Sequence, residues 1–128
     1  MICIIRSGEN DNMVLSVEQI NNVKLNNFNG NENQLFYIYK NENENNYMIV
    51  SYKTKKYIGS ENNNNLIKQI NNLEKYSIKK VEKDLNGINL YNLTSVNKNL
   101  NIEIKNKNLQ FAKKNEFNQK FYLSVRFS

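Results

Sequence analysis

Asn118-Gln119-Lys120-Phe121-Tyr122-Leu123 is a phrase that this chain writes three times. Its counterparts are Asn33-Gln34-Leu35-Phe36-Tyr37-Ile38 and Leu73-Glu74-Lys75-Tyr76-Ser77-Ile78, which set the aromatics Phe36, Tyr76 and Phe121 40 and then 45 residues apart. Upstream of each phrase an apolar run ends in serine: Ile5-Arg6-Ser7, Ile49-Val50-Ser51 and Leu93-Thr94-Ser95, with successive serines 44 residues apart. At this period each copy is one supersecondary unit without a core of its own, so the three copies must bury their apolar faces on one another. The expected organisation is a single domain over residues 1–128, with repeats at about 1–44, 45–86 and 87–128.

A chain of this length buries roughly two-thirds of its unfolded surface, enough for one core. Only 39% of it is hydrophobic, and 29 of the 128 residues are asparagine. Runs such as Asn62 to Asn65, and Asn41-Glu42-Asn43-Glu44-Asn45-Asn46, stand between β-prone apolar segments and read as long turns. Asparagine accepts the left-handed backbone region and caps turns with its own side chain, replacing glycine and proline in a chain with 4 Gly and no Pro. An AT-rich coding sequence would give the same Asn, Lys, Ile and Tyr bias without structural meaning.

Short runs of Ile, Val, Leu, Tyr and Phe predict four strands per copy. The first set is Ile2 to Ser7, Met13 to Val17, Asn22 to Leu25 and Leu35 to Tyr39. The second is Tyr47 to Tyr52, Lys56 to Gly59, Leu66 to Gln69 and Tyr76 to Val81. The third is Ile88 to Ser95, Asn99 to Ile104, Leu109 to Phe111 and Lys120 to Arg126. Between Leu66 and Tyr76 the apolar spacing also allows a single helical turn. Asn29-Gly30 and Asn86-Gly87 are turn signals, and twelve short strands make the chain all-β. Closure of such strands on one another removes exposed sheet edges.

The formal charge is +6 and the pI about 9.3, but the lysines fall into three separate turn-borne clusters: Lys53, Lys55 and Lys56; Lys79, Lys80 and Lys83; Lys105, Lys107, Lys113 and Lys114. With only Arg6 and Arg126 to fork phosphates, the pattern argues against nucleic acid. Histidine is absent, so the usual base near neutral pH is missing. Cys3, alone in a strand, has no imidazole to activate it and no partner for an intrachain disulfide. A His/Cys metal site is excluded by count. A chain without catalysis, cofactor or metal is expected, with no transmembrane segment and no visible signal peptide, as in a soluble protein secreted or released.

The threefold phrase resembles the Gln-x-Trp signature of the ricin-type β-trefoil lectins, read here as Gln34-Leu35-Phe36, Glu74-Lys75-Tyr76 and Gln119-Lys120-Phe121. The resemblance implies an all-β β-trefoil and a carbohydrate-binding module, with galactose-type glycans or glycoproteins as ligands. Toxin-associated and haemagglutinin-like members of that family, to which an AT-rich clostridial source would correspond, also imply protein partners. In the family the signature aromatic is core and the glutamine ties a loop. A sugar pocket adds an acid on the second strand, a stacking aromatic and the Asn before the Gln. Ser16, Gly59 and Asn101 stand at the positions expected for the acid, so no copy is expected to keep it. Copy three retains Asn118 and Gln119, with Asn101 as an amide substitute and Phe111 or Phe117 as platform. Copy one retains Asn33 and Gln34, with Ser16, Phe28 as platform and Glu18 as a shifted acid. Copy two, with Leu73 in place of the Asn, is expected to be inactive. Alternatives are a protein-interaction trefoil that has lost sugar binding, and a trefoil binding sulfated polyanions.

Overall fold

The computed structural model describes residues 1–18 and 21–126. Its elements in chain order are β1 Ile2–Ser7, β2 Met13–Val17, β3 Val23–Asn27, β4 Phe36–Asn41, β5 Asn46–Ser51, β6 Tyr57–Gly59, β7 Lys68–Ile70, β8 Tyr76–Lys83, β9 Asn89–Ser95, β10 Leu100–Lys105, β11 Asn108–Ala112 and β12 Phe121–Val125. Six of them close a ring in which β1 pairs with β4, β4 with β5, β5 with β8, β8 with β9, β9 with β12 and β12 with β1, all antiparallel. The other six form the hairpins β2–β3, β6–β7 and β10–β11. These hairpins lie across one end of the barrel and touch pairwise through Asn108 and Lys24, Asn22 and Lys68, and Leu66 and Gln110. A barrel capped by a triangle of hairpins is the β-trefoil.

The strand registers show which residues are threefold equivalents. Arg6 pairs with Val14, Val50 with Tyr57 and Thr94 with Asn101, so Leu15, Ile58 and Ile102 share one position, and all are fully buried. Val23, Ile67 and Leu109 share another, and Phe36, Tyr76 and Phe121 a third, each also in the core. Full burial of each such side chain contributes about 1.5–3 kcal/mol. Tyr76 is the one of the three aromatics that brings a hydroxyl into the core, and it donates to the Ile58 carbonyl at 2.8 Å. Burial, with the Glu74 carboxylate nearby, pushes its phenol well above the ordinary value.

The repeated serines close turns. Ser7 Oγ accepts from the Glu9 and Asn10 amides, Ser51 Oγ from Thr54 and Ser95 Oγ from Lys98. Among the described residues seven non-glycine residues have positive φ and five of these are asparagine, which is the use that the composition suggested. Gly30 and Gly87, at φ 76° and 80°, occupy the two predicted turns.

The allowance of a helical turn between Leu66 and Tyr76 fails. Ile67 must reach the core position of Val23 and Leu109 and donates its amide to the Leu109 carbonyl at 2.8 Å, which requires extended chain. The one 3₁₀ turn among the described residues lies instead at Glu32–Gln34 in copy one. No helix among the described residues is long and apolar enough to cross a membrane.

Candidate functional site

In copy three, β10 and β11 form a hairpin in which Ile102 faces Phe111 and Glu103 faces Gln110. Strand alternation turns Ile102 into the core, where it is fully buried, and leaves Glu103 half-buried on the outer face. Glu103 is therefore the equivalent of Ser16 and Gly59, and copy three does keep a carboxylate. Asn101, expected at that position, lies two residues earlier. Its spacing from the repeated serine gives it away: the position falls nine residues after Ser7, eight after Ser51 and, at Glu103, eight after Ser95.

Three amide groups hold the Glu103 carboxylate. Oε1 accepts from Gln119 Nε2 at 3.2 Å and from Asn115 Nδ2 at 3.1 Å, while Oε2 accepts from Gln110 Nε2 at 3.0 Å. Desolvation works to raise this carboxyl, but the three donors and the Lys105 charge outweigh it and hold it below its ordinary value. The group is ionised at neutral pH, and its oxygens keep lone-pair capacity beyond three donors.

Gln119 organises this arrangement from within. It is fully buried; its Oε1 accepts from Asn101 Nδ2 and the Asn115 amide, both at 2.9 Å, and its Nε2 also donates to the Lys113 carbonyl at 2.8 Å. Asn101, also buried, takes a 2.5 Å hydrogen bond from Thr94 Oγ1. Both amides are spent on the scaffold, so they position Glu103 and the 113–119 loop. Phe111 is 2% exposed and packs on Tyr76, so it has no ring face to offer and is corrected from platform to core. Phe117, by contrast, is 75% exposed in the 113–119 loop, its amide donating to Asn115 Oδ1 at 2.7 Å. The adjacent Asn118 is exposed at φ 57°, and its carbonyl accepts from the Ile104 amide at 2.9 Å.

Copy one repeats the scaffold without the acid. Gln34 Oε1 accepts from the Asn29 amide, and its Nε2 donates to the Asn27 carbonyl and to Ser16 Oγ. Ser16 and Gln34 are both fully buried, which removes them as sugar contacts. Phe28 is 42% exposed, but the Arg6 guanidinium sits 4.8 Å from its ring centre and occupies one face. Asn33 donates weakly to the Val17 carbonyl at 3.4 Å and leaves a buried, unpartnered Oδ1. Glu18 is exposed beyond the end of β2, held by Asn26 Nδ2 at 2.6 Å.

Copy two has filled its pocket. Glu74, in the place of the signature glutamine, is 3% exposed, accepting from the Ser60 amide, Ser95 Oγ and Lys98 Nζ, the last at 2.9 Å. A Cβ on Gly59 would lie 2.7 Å from Glu74 Cβ, so no acidic side chain fits at the equivalent of Glu103.

Among the described residues no group of His, Cys, Asp and Glu side chains is placed to hold a metal ion. Glu103, Gln110 and Asn115 are candidate site residues that sequence reading missed.

The sequence matches no protein-family model, and no curated protein matches it. Its structure does find neighbours. A Macrolepiota procera ricin B-like lectin in complex with lactose superposes with a TM-score of 0.81 at 12% identity, covering 98% of this chain and 96% of that one. SeviL bound to asialo-GM1 saccharide gives 0.80 at 14% identity, covering 98% of each chain. A mosquitocidal holotoxin gives 0.80 at 17% identity over 97% of this chain, which spans only 17% of the holotoxin chain. At these identities the likeness concerns the fold: the chain has the β-trefoil fold that is shared by ricin B-like lectins.

Proposed function

We propose that this chain is a carbohydrate-binding module whose competent pocket is in copy three. The observation that carries the reading is the half-buried Glu103 carboxylate, ionised and oriented by Gln110, Asn115 and Gln119. A planar, fixed acceptor suits the paired hydroxyls of a hexose, and an aromatic ring beside it suits the sugar's C–H face. Phe117, exposed on the loop that Asn115 ties to Glu103, would supply such a ring, and Asn118 an exposed amide. Galactose-type sugars are the first class to test, because a lactose complex and an asialo-GM1 complex are among the trefoils that this chain resembles.

Copy one contributes little in this reading, because its acid position is a buried serine and Arg6 covers its aromatic. Copy two contributes nothing. A single weak site gains strength only through clustering on a larger assembly, and the presence of this fold within a holotoxin chain is compatible with such a setting.

A glycan array at low and high salt tests the proposal. Neutral galactosides retained at high salt, and lost in Glu103→Gln, support it. Hits confined to sulfated glycans that vanish with salt would replace it by polyanion binding, and a silent array would leave the trefoil as a protein-interaction subunit.

A further inference from the structure

The barrel wall has three equivalent seams, and the registers align them. At one level the cross-strand pairs are Tyr37 with Val50, Ser77 with Thr94 and Tyr122 with Arg6; at the next they are Tyr39 with Met48, Lys79 with Asn92 and Ser124 with Ile4. An open groove lies at each seam. In one, Arg6 is bonded to Ser124 Oγ and the Asp11 carbonyl, and the Tyr122 hydroxyl donates to Asp84 at 2.8 Å. In the second, Ser77 and Lys79 stand where the β4–β5 seam has Tyr37 and Tyr39.

The third groove is different. Between β4, β5 and β6 it is lined by Tyr37, Tyr39, Met48, Val50, Lys55 and Tyr57. Tyr37 stacks on Tyr39 with ring centres 5.3 Å apart and meets Tyr52 at 5.2 Å. Tyr39 is 43% exposed. At the positions of Tyr37 and Tyr39 the other two seams carry Ser77 and Lys79, and Tyr122 and Ser124, so this seam alone of the three sets two aromatic rings side by side.

Lys55 stands at the lip of this groove. It holds a left-handed backbone conformation, φ 63°, and its amide N–H donates to the Ser51 carbonyl at 2.9 Å. Its ammonium donates to the Tyr52 carbonyl and lies 4.9 and 4.4 Å from the ring centres of Tyr37 and Tyr52. One of its three N–H donors is thereby engaged, and Lys55 belongs to none of the ion pairs among the described residues. The turn that carries it also carries Lys53 and Lys56, in a chain of net charge +6.

We propose that this groove is a second saccharide subsite, taking a sugar that bears a carboxylate. The sugar's C–H face would lie against Tyr39 above the Met48 and Val50 floor, with its carboxylate on the free N–H groups of Lys55. An apolar floor flanked by tyrosine rings, with one cation outside the ion pairs among the described residues, matches that ligand in shape and charge; a neutral or cationic partner leaves Lys55 without a counter-charge. The proposal rests on the carbohydrate-binding reading of the chain, but uses no residue of the copy-three pocket.

Titration of the isotope-labelled full chain with 3′-sialyllactose and with lactose, followed by amide chemical shifts, tests it. At low salt 3′-sialyllactose should move amides of β4, β5 and β6 and bind about tenfold more tightly than lactose, a difference of one decade in Kd. Lys55→Gln and Tyr39→Ala should bring it to the lactose level, whereas Glu103→Gln should leave the β4–β6 shifts in place. Equal affinity for the two sugars, or a preference that survives Lys55→Gln, overturns the subsite. Lactose shifts at Glu103 without a sialyl response in β4–β6 sink the subsite alone; no shifts with either sugar sink the carbohydrate reading as well. If an acidic peptide moves these amides and 3′-sialyllactose does not, the groove belongs to a protein partner and the proposal is wrong.

Discussion

Gln119 and Glu103, 16 residues apart in the chain, meet through a 3.2 Å hydrogen bond from Nε2 to Oε1. The glutamine that closes the repeat is thus wired to the acid on its outer face, so scaffold and pocket share one network in copy three. In copy one the same amide reaches Ser16 Oγ, and in copy two the glutamine is itself replaced by Glu74.

Replacing the acceptor isolates its chemistry. Glu103→Gln removes the charge at constant shape and confronts amide donors with an amide, which costs about 1 kcal/mol of stability. Galactoside affinity should fall at least about tenfold, a loss of roughly 1.4 kcal/mol. Urea unfolding and calorimetric titration separate the two effects.

The same carboxylate sets a pH dependence. Its folded-state value lies below the ordinary 4.5, so the stability it confers is present above that value and lost as pH falls through the lowered one. Sugar binding should therefore be flat from neutral pH down to about the ordinary carboxyl value and decline only below it. A midpoint near neutrality would identify a different group.

The two phenylalanines considered as the copy-three platform should part company. Phe111→Ala opens the core beside Tyr76 and should cost about 3–5 kcal/mol. Phe117→Ala, at 75% exposure, should change stability by under about 0.5 kcal/mol while weakening sugar binding. Thermal denaturation of both variants reads the difference directly.

The architecture was largely legible in the chain, because similar serine-terminated strands and aromatics recur at nearly constant spacing. The site was not. Leu100-Asn101-Ile102-Glu103-Ile104 alternates cleanly, but nothing within it says whether Leu100 or Ile102 is the core equivalent of Leu15 and Ile58. The distance from the repeated serine favours Ile102, and the pairing of Thr94 with Asn101 and of Ile102 with Phe111 decides it; a choice two residues early replaces a carboxylate by an amide. Phe111 was misread for a related reason: an aromatic on a short strand shows its composition but not its face. The filling of copy two by Glu74 depends on Lys98 and Ser95, both from the next repeat, and has no local signature.

That filled pocket is itself testable. Lys98→Met leaves Glu74 buried against Ser95 without its cation and should destabilise by about 3 kcal/mol, the lower end for a broken buried pair because Lys98 is partly exposed. Gly59→Ala forces a methyl against Glu74 and Ile70 and should cost about 1–3 kcal/mol. Neither substitution should alter sugar binding, as measured by calorimetric titration beside chemical denaturation.

Chemical-shift mapping of the full chain with lactose tests the copy-three pocket most directly. A carbohydrate site built on Glu103 predicts saturable shifts at Glu103, Gln110, Asn115, Phe117 and Asn118, abolished by Glu103→Gln with the remaining spectrum unchanged. Shifts centred on Phe28 and Asn33, or shifts that persist in Glu103→Gln, would contradict it.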